Sequence, residues 1–315
     1  MNIIITGGSG YLAPIISQFL ARSGHNVLLL SRNFIDPTPF HDNISLLEID
    51  WMCDHPFAHL DYNVDCVIHA AGLNAQSCHK SVHDAFQVNC LNTIKLLNYA
   101  SQQSNCLFFY LSTVHIYASP LVGCIDESSP STNLHPYAIS KHAGELSVLH
   151  YLNSTSLSGA VLRLSNIFGP PIFPDSDCWQ LYVNNICYDA VIKGRITIKS
   201  NPNLQMDVVP VSDLCFLIQY LLSLSPALIP DVINVSKGAS DSLYHIAERV
   251  SLLTSSLLSF SPEIFYNPSL SNDLPMKPLN LIPNALRSLS PSFSVGSNIN
   301  VELSDLIIYI KNNLS

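Results

Sequence analysis

The chain has 315 residues, of which 48% are apolar and 12% are charged, and its formal net charge is −9. This composition excludes a disordered chain and favours one large domain, or two closely joined ones, of the α/β or all-β class. The negative charge and the lack of any lysine or arginine run exclude nucleic acid as an expected partner.

Short apolar runs alternate with helical patterns through the first half of the chain. The runs cover residues 3–5, 27–30, 64–69, 107–111 and 160–164, and the helical patterns extend to about residue 23 and over about 85–101 and 136–152. A strand without alternation is typically buried on both faces of a sheet, so these runs predict a parallel sheet flanked by helices. The predicted fold is α/β, with a doubly wound Rossmann sheet.

This rhythm changes after Gly169. A proline-rich loop is followed by a helical stretch at 179–192, and an apolar run at 207–211 is expected to rejoin the sheet. The last third is broken by prolines and ends in an amphipathic helix from about residue 301. We therefore predict a dinucleotide-binding domain of residues 1–165 and 206–236 and a smaller carboxyl-terminal substrate-binding lobe of residues 166–205 and 237–315.

The expected surroundings of the protein follow from what the sequence lacks. Strand-like residues begin at Asn2 and lead directly into a glycine motif, which leaves no room for a secretory leader. No apolar run reaches the ~18 residues of a membrane span. The nine cysteines form neither a CxxC pair nor a regular framework, which favours free thiols over disulfides or a zinc module. These features predict a cytoplasmic protein with no metal site and no membrane partner.

A glycine motif, Thr6-Gly7-Gly8-Ser9-Gly10-Tyr11-Leu12-Ala13, lies between the first strand and the first helix. Gly7 would allow the tight turn, and Gly10 would allow the backbone to approach a pyrophosphate. The amino terminus of the helix would supply free N–H groups to the phosphates. A flexible loop is the alternative, but the position between strand and helix favours a dinucleotide site.

Two strand ends bear on the choice of dinucleotide. The second strand ends at Ser31-Arg32, where NAD-specific sites usually carry an acidic residue. A guanidinium suits a 2′-phosphate, so Arg32 favours NADP over NAD, unless it is a solvated loop residue. Asp50, followed by Trp51, ends a third apolar run and could accept a hydrogen bond from the adenine amino group. A turn or cap aspartate is the alternative there.

Tyr137 and Lys141 are four residues apart and would share one face of a helix. A phenol is a poor base near neutral pH unless a nearby ammonium and the positive nicotinamide ring favour its phenolate. A Tyr/Lys pair alone is a common surface feature. Here it follows Thr113 by 24 residues, and Thr113 ends a buried strand where its hydroxyl could hold a carbonyl oxygen.

With these residues in place, the sequence resembles the extended short-chain dehydrogenase/reductase family, the NAD(P)-dependent epimerase/dehydratase group that acts largely on nucleotide sugars. The matching motifs follow the family's order between about residues 2 and 240, and they are residues 6–13, His69-Ala70-Ala71-Gly72, Val88-Asn89, Ser112-Thr113-Val114-His115-Ile116-Tyr117-Ala118, Tyr137/Lys141, Arg163-Leu164-Ser165-Asn166-Ile167-Phe168-Gly169-Pro170, residues 207–213 and residues 233–236.

The resemblance implies roles for individual residues. Thr113 would polarise the substrate oxygen, Tyr137 would be the acid/base and Lys141 would lower its pKa, while Asn89 would support the active-site helix. Arg163 is expected to be structural, because its strand position points into the fold. The cofactor-binding residues expected from the motifs and the resemblance together are Gly7, Gly10, Tyr11, Leu12, Ser31, Arg32, Asp50, Trp51, Ala70, Ala71, Gly72, Asn89, Ser112, Tyr137 and Lys141. The expected substrate-binding residues are Asn74, Thr113, Asn166 and Lys277.

Departures from the family pattern restrict the reaction. The dehydratases of the group carry Asp-Glu after the catalytic threonine, and this chain has Val114 and His115, which disfavours 4,6-dehydration. The arginine that many relatives use to hold a diphosphate is Met206 here, although Lys277 or Arg287 could supply the charge. The sequence therefore favours a nucleotide-sugar epimerase or 4-ketoreductase. A catalytically silent NADP-binding regulatory or subunit protein, or a reductase of a non-nucleotide carbonyl compound, remains an alternative.

The resemblance also implies a homodimer, since many relatives pack two sheet-flanking helices from each subunit into a four-helix bundle. The helices near 85–101 and 136–152 would form it, with the apolar candidates Leu91, Ile94, Leu97, Leu146 and Leu149. A monomer whose own chain covers these side chains is the alternative.

Overall fold

The computed structural model describes residues 1–57, 60, 62–270, 278–290 and 293–314. Its strands are β1 (Asn2–Thr6), β2 (Asn26–Ser31), β3 (Ile44–Glu48), β4 (Cys66–His69), β5 (Leu107–Thr113), β6 (Gly123–Ile125), β7 (Ser158–Leu164), β8 (Asn166–Phe168), β9 (Arg195–Ile198), β10 (Gln205–Met206), β11 (Val208–Pro210), β12 (Val232–Val235), β13 (Asp241–Ser242), β14 (Glu263–Tyr266) and β15 (Leu279–Leu281). Its α-helices are α1 (Leu12–Arg22), α2 (Ala75–Lys80), α3 (Val82–Phe86), α4 (Asn92–Ala100), α5 (Pro136–Ser154), α6 (Tyr182–Lys193), α7 (Val211–Leu222), α8 (Leu243–Leu258), α9 (Asn284–Leu289) and α10 (Ile299–Asn313).

The central sheet has seven parallel strands in the order β12-β7-β5-β4-β1-β2-β3. From β1 the chain builds outward through β2 and β3, and it then returns to add β4 on the other side of β1. This reversal of direction makes the sheet doubly wound, and it leaves a crevice at the carboxyl ends of β1 and β4 where ligands bind in such folds. The predicted Rossmann fold is confirmed.

Both faces of the sheet are buried, which explains why its strands lack alternation. On one face, Ile4, Val67 and Phe108 pack with Leu96 of α4 and Val148 of α5. The intervening strand residues are also buried, Ile3, Ile5, Leu29, Ile68 and Phe109 among them. Continuous apolar runs are therefore the consequence of two covered faces.

The chain divides into two compact units. The first contains residues 1–119, 129–164 and 217–234, and the second contains residues 120–128, 165–216 and 235–315. The first unit holds the central sheet. The second has its own core, in which α6, α8 and α10 pack around β9, and four two-stranded sheets lie outside the central sheet in the described residues.

One predicted sheet strand was wrong. The apolar run at 207–211 does not rejoin the central sheet, because its strand β11 pairs in parallel with β8. The backbone oxygen of Asp207 accepts hydrogen bonds from the Ser165 hydroxyl at 2.8 Å and the Asn166 amide at 2.9 Å, and these contacts hold the start of β11 beside β8. Side-chain contacts of this kind leave no signal in an apolar pattern.

The proposed dimer helices keep only part of their apolar surface. Leu97 lies in the core, so its prediction as a surface residue was wrong, and Leu149 packs partly against the same cluster. Leu91 and Leu146 remain 48% and 55% exposed. Among the described residues, no helix has both the length and the apolar character needed to cross a membrane.

Candidate active site

The glycine loop after β1 has the conformation that its sequence predicts. Gly7 has a φ of +94°, and a Cβ atom there would lie 3.0 Å from the backbone nitrogen of Ala71. The N–H groups of Gly7 and Gly8 donate to the backbone oxygen of Leu30, which fixes the loop against β2. Only glycine accommodates both the positive φ and the close approach to Ala70 and Ala71, which follow β4.

The amino terminus of α1 is open to an anion. Tyr11 occupies the cap position, and within the described residues no side chain caps the helix and no acidic residue lies in its first turn. The first N–H groups of a helix need a partner from elsewhere, and a phosphate supplies one. The loop and the helix start therefore fit the pyrophosphate of a dinucleotide, with Gly7, Gly10, Tyr11 and Leu12 as the residues that would hold it.

The segment after β4 leads from this loop towards Lys141 of α5. Ala70 and Ala71 lie against Gly7, and a Cβ atom on Gly72 would lie 3.1 Å from Asn89 Oδ1 and 3.8 Å from Lys141 Nζ. Small residues thus keep the path between the glycine loop and Lys141 clear of side chains. This path fits a dinucleotide with its phosphates at α1 and its nicotinamide end towards Lys141.

The predicted specificity residues lie at the ends of β2 and β3. Ser31 is buried and its hydroxyl accepts a hydrogen bond from the Asn33 N–H at 3.3 Å, while Arg32 is exposed. The Asp50 carboxylate accepts the N–H of Met52 at 2.9 Å, so it caps a turn, which was the alternative that its position left open.

Trp51 and the loop around it are fixed from α4, a contact that sequence reasoning missed. The Trp51 ring is buried and packs edge-on against Phe57, with ring centroids 5.4 Å apart. The Lys95 ammonium donates to the backbone oxygens of Trp51 at 2.9 Å and Cys53 at 2.8 Å. The Trp51 side chain therefore lies in the core, and hydrogen bonds from Lys95 hold the backbone of residues 51–53 in place.

Thr113 and Tyr137, for which the resemblance implied catalytic roles, come together at the carboxyl end of β5. Helix α5 begins with Pro136 at its first turn, and the His135 side chain accepts the N–H of Tyr137 at 3.2 Å. Tyr137 then forms a side-chain hydrogen bond with Thr113, the last residue of β5. Thr113 Oγ1 also accepts the N–H of His115 at 3.1 Å, which fixes its orientation.

Burial changes the acidity of Tyr137 and Lys141, which both lie on α5. It raises the pKa of Tyr137 to about 12, although the hydrogen bond from Thr113 acts in the opposite direction. Burial lowers the pKa of Lys141 to about 7, against the charge of Glu145, which raises it. The resemblance implied that Lys141 lowers the pKa of Tyr137, but in this structure the loss of hydration raises that pKa and outweighs the hydrogen bond with Thr113.

The Asn89 side chain connects the segment after β4 to α5, whereas the resemblance implied support through backbone contacts. Asn89 lies in a π-helical turn, Gln87–Leu91, between α3 and α4. Its side-chain oxygen accepts the N–H of Leu73 at 2.9 Å, and its amide donates to Ser140 Oγ at 3.0 Å. Ser140 in turn donates to the backbone oxygen of Tyr137 at 3.1 Å.

The His69 side chain forms a second connection, between β1 and α4. Its Nδ1 lies 2.6 Å from Thr6 Oγ1 and its Nε2 lies 3.0 Å from Thr93 Oγ1. Because Thr93 donates to the backbone oxygen of Asn89 at 3.0 Å, its hydroxyl must accept from a protonated Nε2. Burial lowers the pKa of His69 to about 3, so the ring is neutral and joins β1, β4 and α4 without a charge.

Ser112 takes part in a buried ionic network. Its hydroxyl donates to Glu145, and Arg163 donates to the same carboxylate at 2.8 Å and to Tyr117 Oη at 2.8 Å. Burial by itself would raise the pKa of Glu145, but hydrogen bonds from His142 and Arg163 outweigh it and lower that pKa. The expected structural role of Arg163 is confirmed. The Ser112 hydroxyl, which was expected to contact the cofactor, donates its proton to Glu145 in this network.

The predicted substrate residues are spread over both units. In the first, Asn74 caps α2 by accepting the N–H of Ser77 at 2.8 Å. In the second, the side chain of Asn166 contacts Asp207, as described for the pairing of β8 with β11. Lys277 lies outside the described residues.

Two further features of the second unit were not predicted. The Arg287 guanidinium lies next to Gly238, where a Cβ atom would be 2.7 Å from it. An open polar cavity of about 430 Å³ is lined by Gln205, Asp241, Tyr244 and Tyr266, among other residues. Within the described residues, no three metal-ligating side chains come together.

The chain matches the NAD dependent epimerase/dehydratase family over residues 3–236. It is 28% identical over 187 residues to a dTDP-D-glucose 4,6-dehydratase from Mus musculus, a match that covers 55% of this chain and 52% of the relative. It is also 28% identical over 221 residues to a putative UDP-glucose 4-epimerase from Methanocaldococcus jannaschii, covering 67% and 70%. The match thus spans about half the length of the dehydratase relatives.

Solved structures show the same fold. The UDP-glucose 4-epimerase of Thermus thermophilus, in complex with NAD, has a TM-score of 0.80 against this chain, with 20% identity and all of both chains covered. At that identity the likeness is one of architecture.

Proposed function

Since the chain belongs to the NAD dependent epimerase/dehydratase family, we propose that it is a nucleotide-sugar epimerase or 4-ketoreductase. The observation that carries this proposal is the hydrogen bond between Tyr137 and Thr113, with the buried Lys141 one helical turn further on. A complete set of these three side chains favours an enzyme over the regulatory protein considered as an alternative.

Each of the three residues has a task in this reaction. When bound, the nicotinamide ring supplies or accepts the hydride. Thr113 holds the oxygen of the reacting carbon, and Tyr137 moves the proton at that oxygen. A phenol with a pKa of about 12 is protonated near neutral pH, so Tyr137 is ready to donate its proton to a developing alkoxide. Lys141, when charged, stabilises the phenolate that remains.

Elimination of water is not part of the proposal. It needs a further acid and base, and the positions after Thr113 hold the buried, apolar Val114 and the exposed His115. The aliphatic side chain of Val114 cannot transfer a proton. This supports an epimerase or reductase, even though dehydratases are among the relatives.

We assign the dinucleotide to the first unit and the nucleotide sugar chiefly to the second. The glycine loop, α1 and Lys141 support the first assignment. For the second, Arg287 is exposed and lies next to Gly238, so its guanidinium could bind a diphosphate in place of the arginine that Met206 replaces.

NADP is proposed in preference to NAD. Arg32 follows β2 as an exposed side chain, and the end of that strand carries no carboxylate. An acidic residue there would repel a 2′-phosphate, whereas a guanidinium binds it. A homodimer through α4 and α5 is also proposed, on the basis of the exposed Leu91 and Leu146.

Replacing the catalytic phenol tests the proposed reaction. Tyr137→Phe removes the proton donor and keeps the ring, so we expect turnover of 4-keto and 4-hydroxy nucleotide sugars to fall by roughly 10²–10⁴-fold. Tyr151→Phe, the same change at a partly exposed site on α5, is the control and should retain activity. Activity of the Tyr137→Phe protein within about tenfold of the wild type would contradict the mechanism. Stoichiometric consumption of NADPH identifies a reductase, and turnover without net consumption identifies an epimerase.

A further inference from the structure

The Lys141 ammonium has two close partners from β5. It donates to the backbone oxygen of Leu111 at 2.7 Å, and it lies 4.1 Å from the centre of the Tyr110 ring. The lysine is only 4% exposed, so few water molecules can hydrate its ammonium. The face of an aromatic ring carries partial negative charge and attracts such a cation most strongly when both are desolvated.

The Tyr110 ring is itself held in place at its far end. It is fully buried, and its hydroxyl donates to the backbone oxygen of Asn89 at 3.0 Å. Gly144 on α5 leaves room for this contact, since a Cβ atom there would overlap both the Tyr110 hydroxyl and the Asn89 oxygen. The ring is therefore fixed between α5 and the π-helical turn, and it presents a constant surface to Lys141.

The other titratable groups around Lys141 provide little net negative charge. Glu145 on α5 raises the lysine pKa, but its carboxylate is paired with Arg163. His69 on β4 is neutral, and burial keeps the Cys78 thiol on α2 and the Tyr137 phenol protonated by raising the pKa of each. The Tyr110 phenol is also neutral, because burial raises its pKa well above the usual value. Its ring face is thus a main source of attraction for the ammonium.

We propose that Tyr110 is a positioning residue for Lys141, whose ring face holds the lysine side chain in place and favours its charged form. The inference rests on the proposed function only in that Lys141 must be charged to act. Loss of the ring face should lower the lysine pKa, so a larger fraction of Lys141 becomes neutral as the pH rises. The alkaline limb of the activity profile should then move to lower pH.

The test is an NMR titration of Lys141 in protein labelled with ¹³C-lysine, with Lys141→Met used to assign its signal. Tyr110→Leu removes the ring face, and we expect the lysine pKa to fall by about one unit and the upfield ring-current shift of its ε-protons to disappear. Tyr110→Phe keeps the ring and should leave both within error of the wild type. Phe109→Leu makes the same deletion at the neighbouring buried position, whose side chain faces the other side of the sheet, and serves as the control.

A graded series protects the test against a variant that does not fold. Phenylalanine carrying one, two or five fluorine atoms at position 110 keeps the shape of the ring and progressively weakens its negative face, so the lysine pKa should fall with each step. A pKa unchanged across that series or in Tyr110→Leu would overturn the proposal, as would an equal shift in Tyr110→Phe. The titration needs no substrate, so its result does not depend on whether the proposed reaction is correct. Failure of the proposed role of Tyr110 can therefore be distinguished from failure of the proposed function.

Discussion

Burial acts in opposite directions on the pKa values of Tyr137 and Lys141, which both lie on α5. It raises the pKa of Tyr137 and lowers that of Lys141, so each residue is driven towards its neutral form. A neutral phenol is a proton donor, whereas a neutral amine cannot stabilise a phenolate. The contacts of Lys141 with Leu111 and Tyr110 favour its charged form. They therefore influence the pH range over which Lys141 can stabilise a Tyr137 phenolate.

The proposed preference for NADP depends on one residue, Arg32. Arg32→Asp replaces a group that binds a 2′-phosphate with one that accepts a hydrogen bond from a ribose 2′-hydroxyl. We expect NADP affinity to fall by about 10–100-fold and NAD affinity to be kept or increased. Equilibrium binding of both dinucleotides measures this, with Arg22→Asp at the far end of α1 as a control of equal charge. Equal loss of both affinities, or no loss of NADP affinity, would refute a role in phosphate recognition.

At the scale of elements, the sequence was informative where a pattern has one structural meaning. The apolar runs of β1, β4 and β5 predicted a buried sheet, and the family resemblance implied that Thr113 and Tyr137 act at one site. The π-helical turn around Asn89 could not be predicted, because its side-chain pattern resembles that of an α-helix over five residues. The contacts of Lys95, Tyr110 and Glu145 were missed for a related reason, since each joins elements that are distant in sequence.

Gly144 tests how closely α5 must approach the π-helical turn. Alanine is the better helix former by about 1 kcal/mol, yet a Cβ atom here would overlap the Asn89 oxygen and the Tyr110 hydroxyl. We expect Gly144→Ala to destabilise the protein by about 1–3 kcal/mol in urea unfolding. Adding Tyr110→Phe removes one of the two overlaps and should restore part of the loss. An alanine variant as stable as the wild type would show that the helix can move aside at little cost.

At the scale of the whole molecule, the order of the elements along the chain predicted the architecture. The doubly wound sheet follows from the alternation of strands and helices in the first half. The pairing of β11 with β8 is accompanied by hydrogen bonds from the Ser165 and Asn166 side chains to the backbone oxygen of Asp207, which a pattern of apolar residues does not encode. The same limit applies to the second unit, because the four two-stranded sheets in the part of it that the structure describes use strands too short to show a period.

Association into a homodimer can be tested on the apolar surface that the resemblance pointed to. Leu146 on α5 and Leu91 beside α4 are about half exposed, and burying them against a second copy would remove apolar area from water. Leu146→Glu places a charge in that contact, so sedimentation equilibrium should show a dimer for the wild type and a larger monomer fraction for the variant. Leu252→Glu, at a 72% exposed site on α8 of the second unit, is the matched control and should leave the dimer intact. A wild type that stays monomeric as its concentration rises, or a dimer that tolerates glutamate at position 146, would rule out this interface.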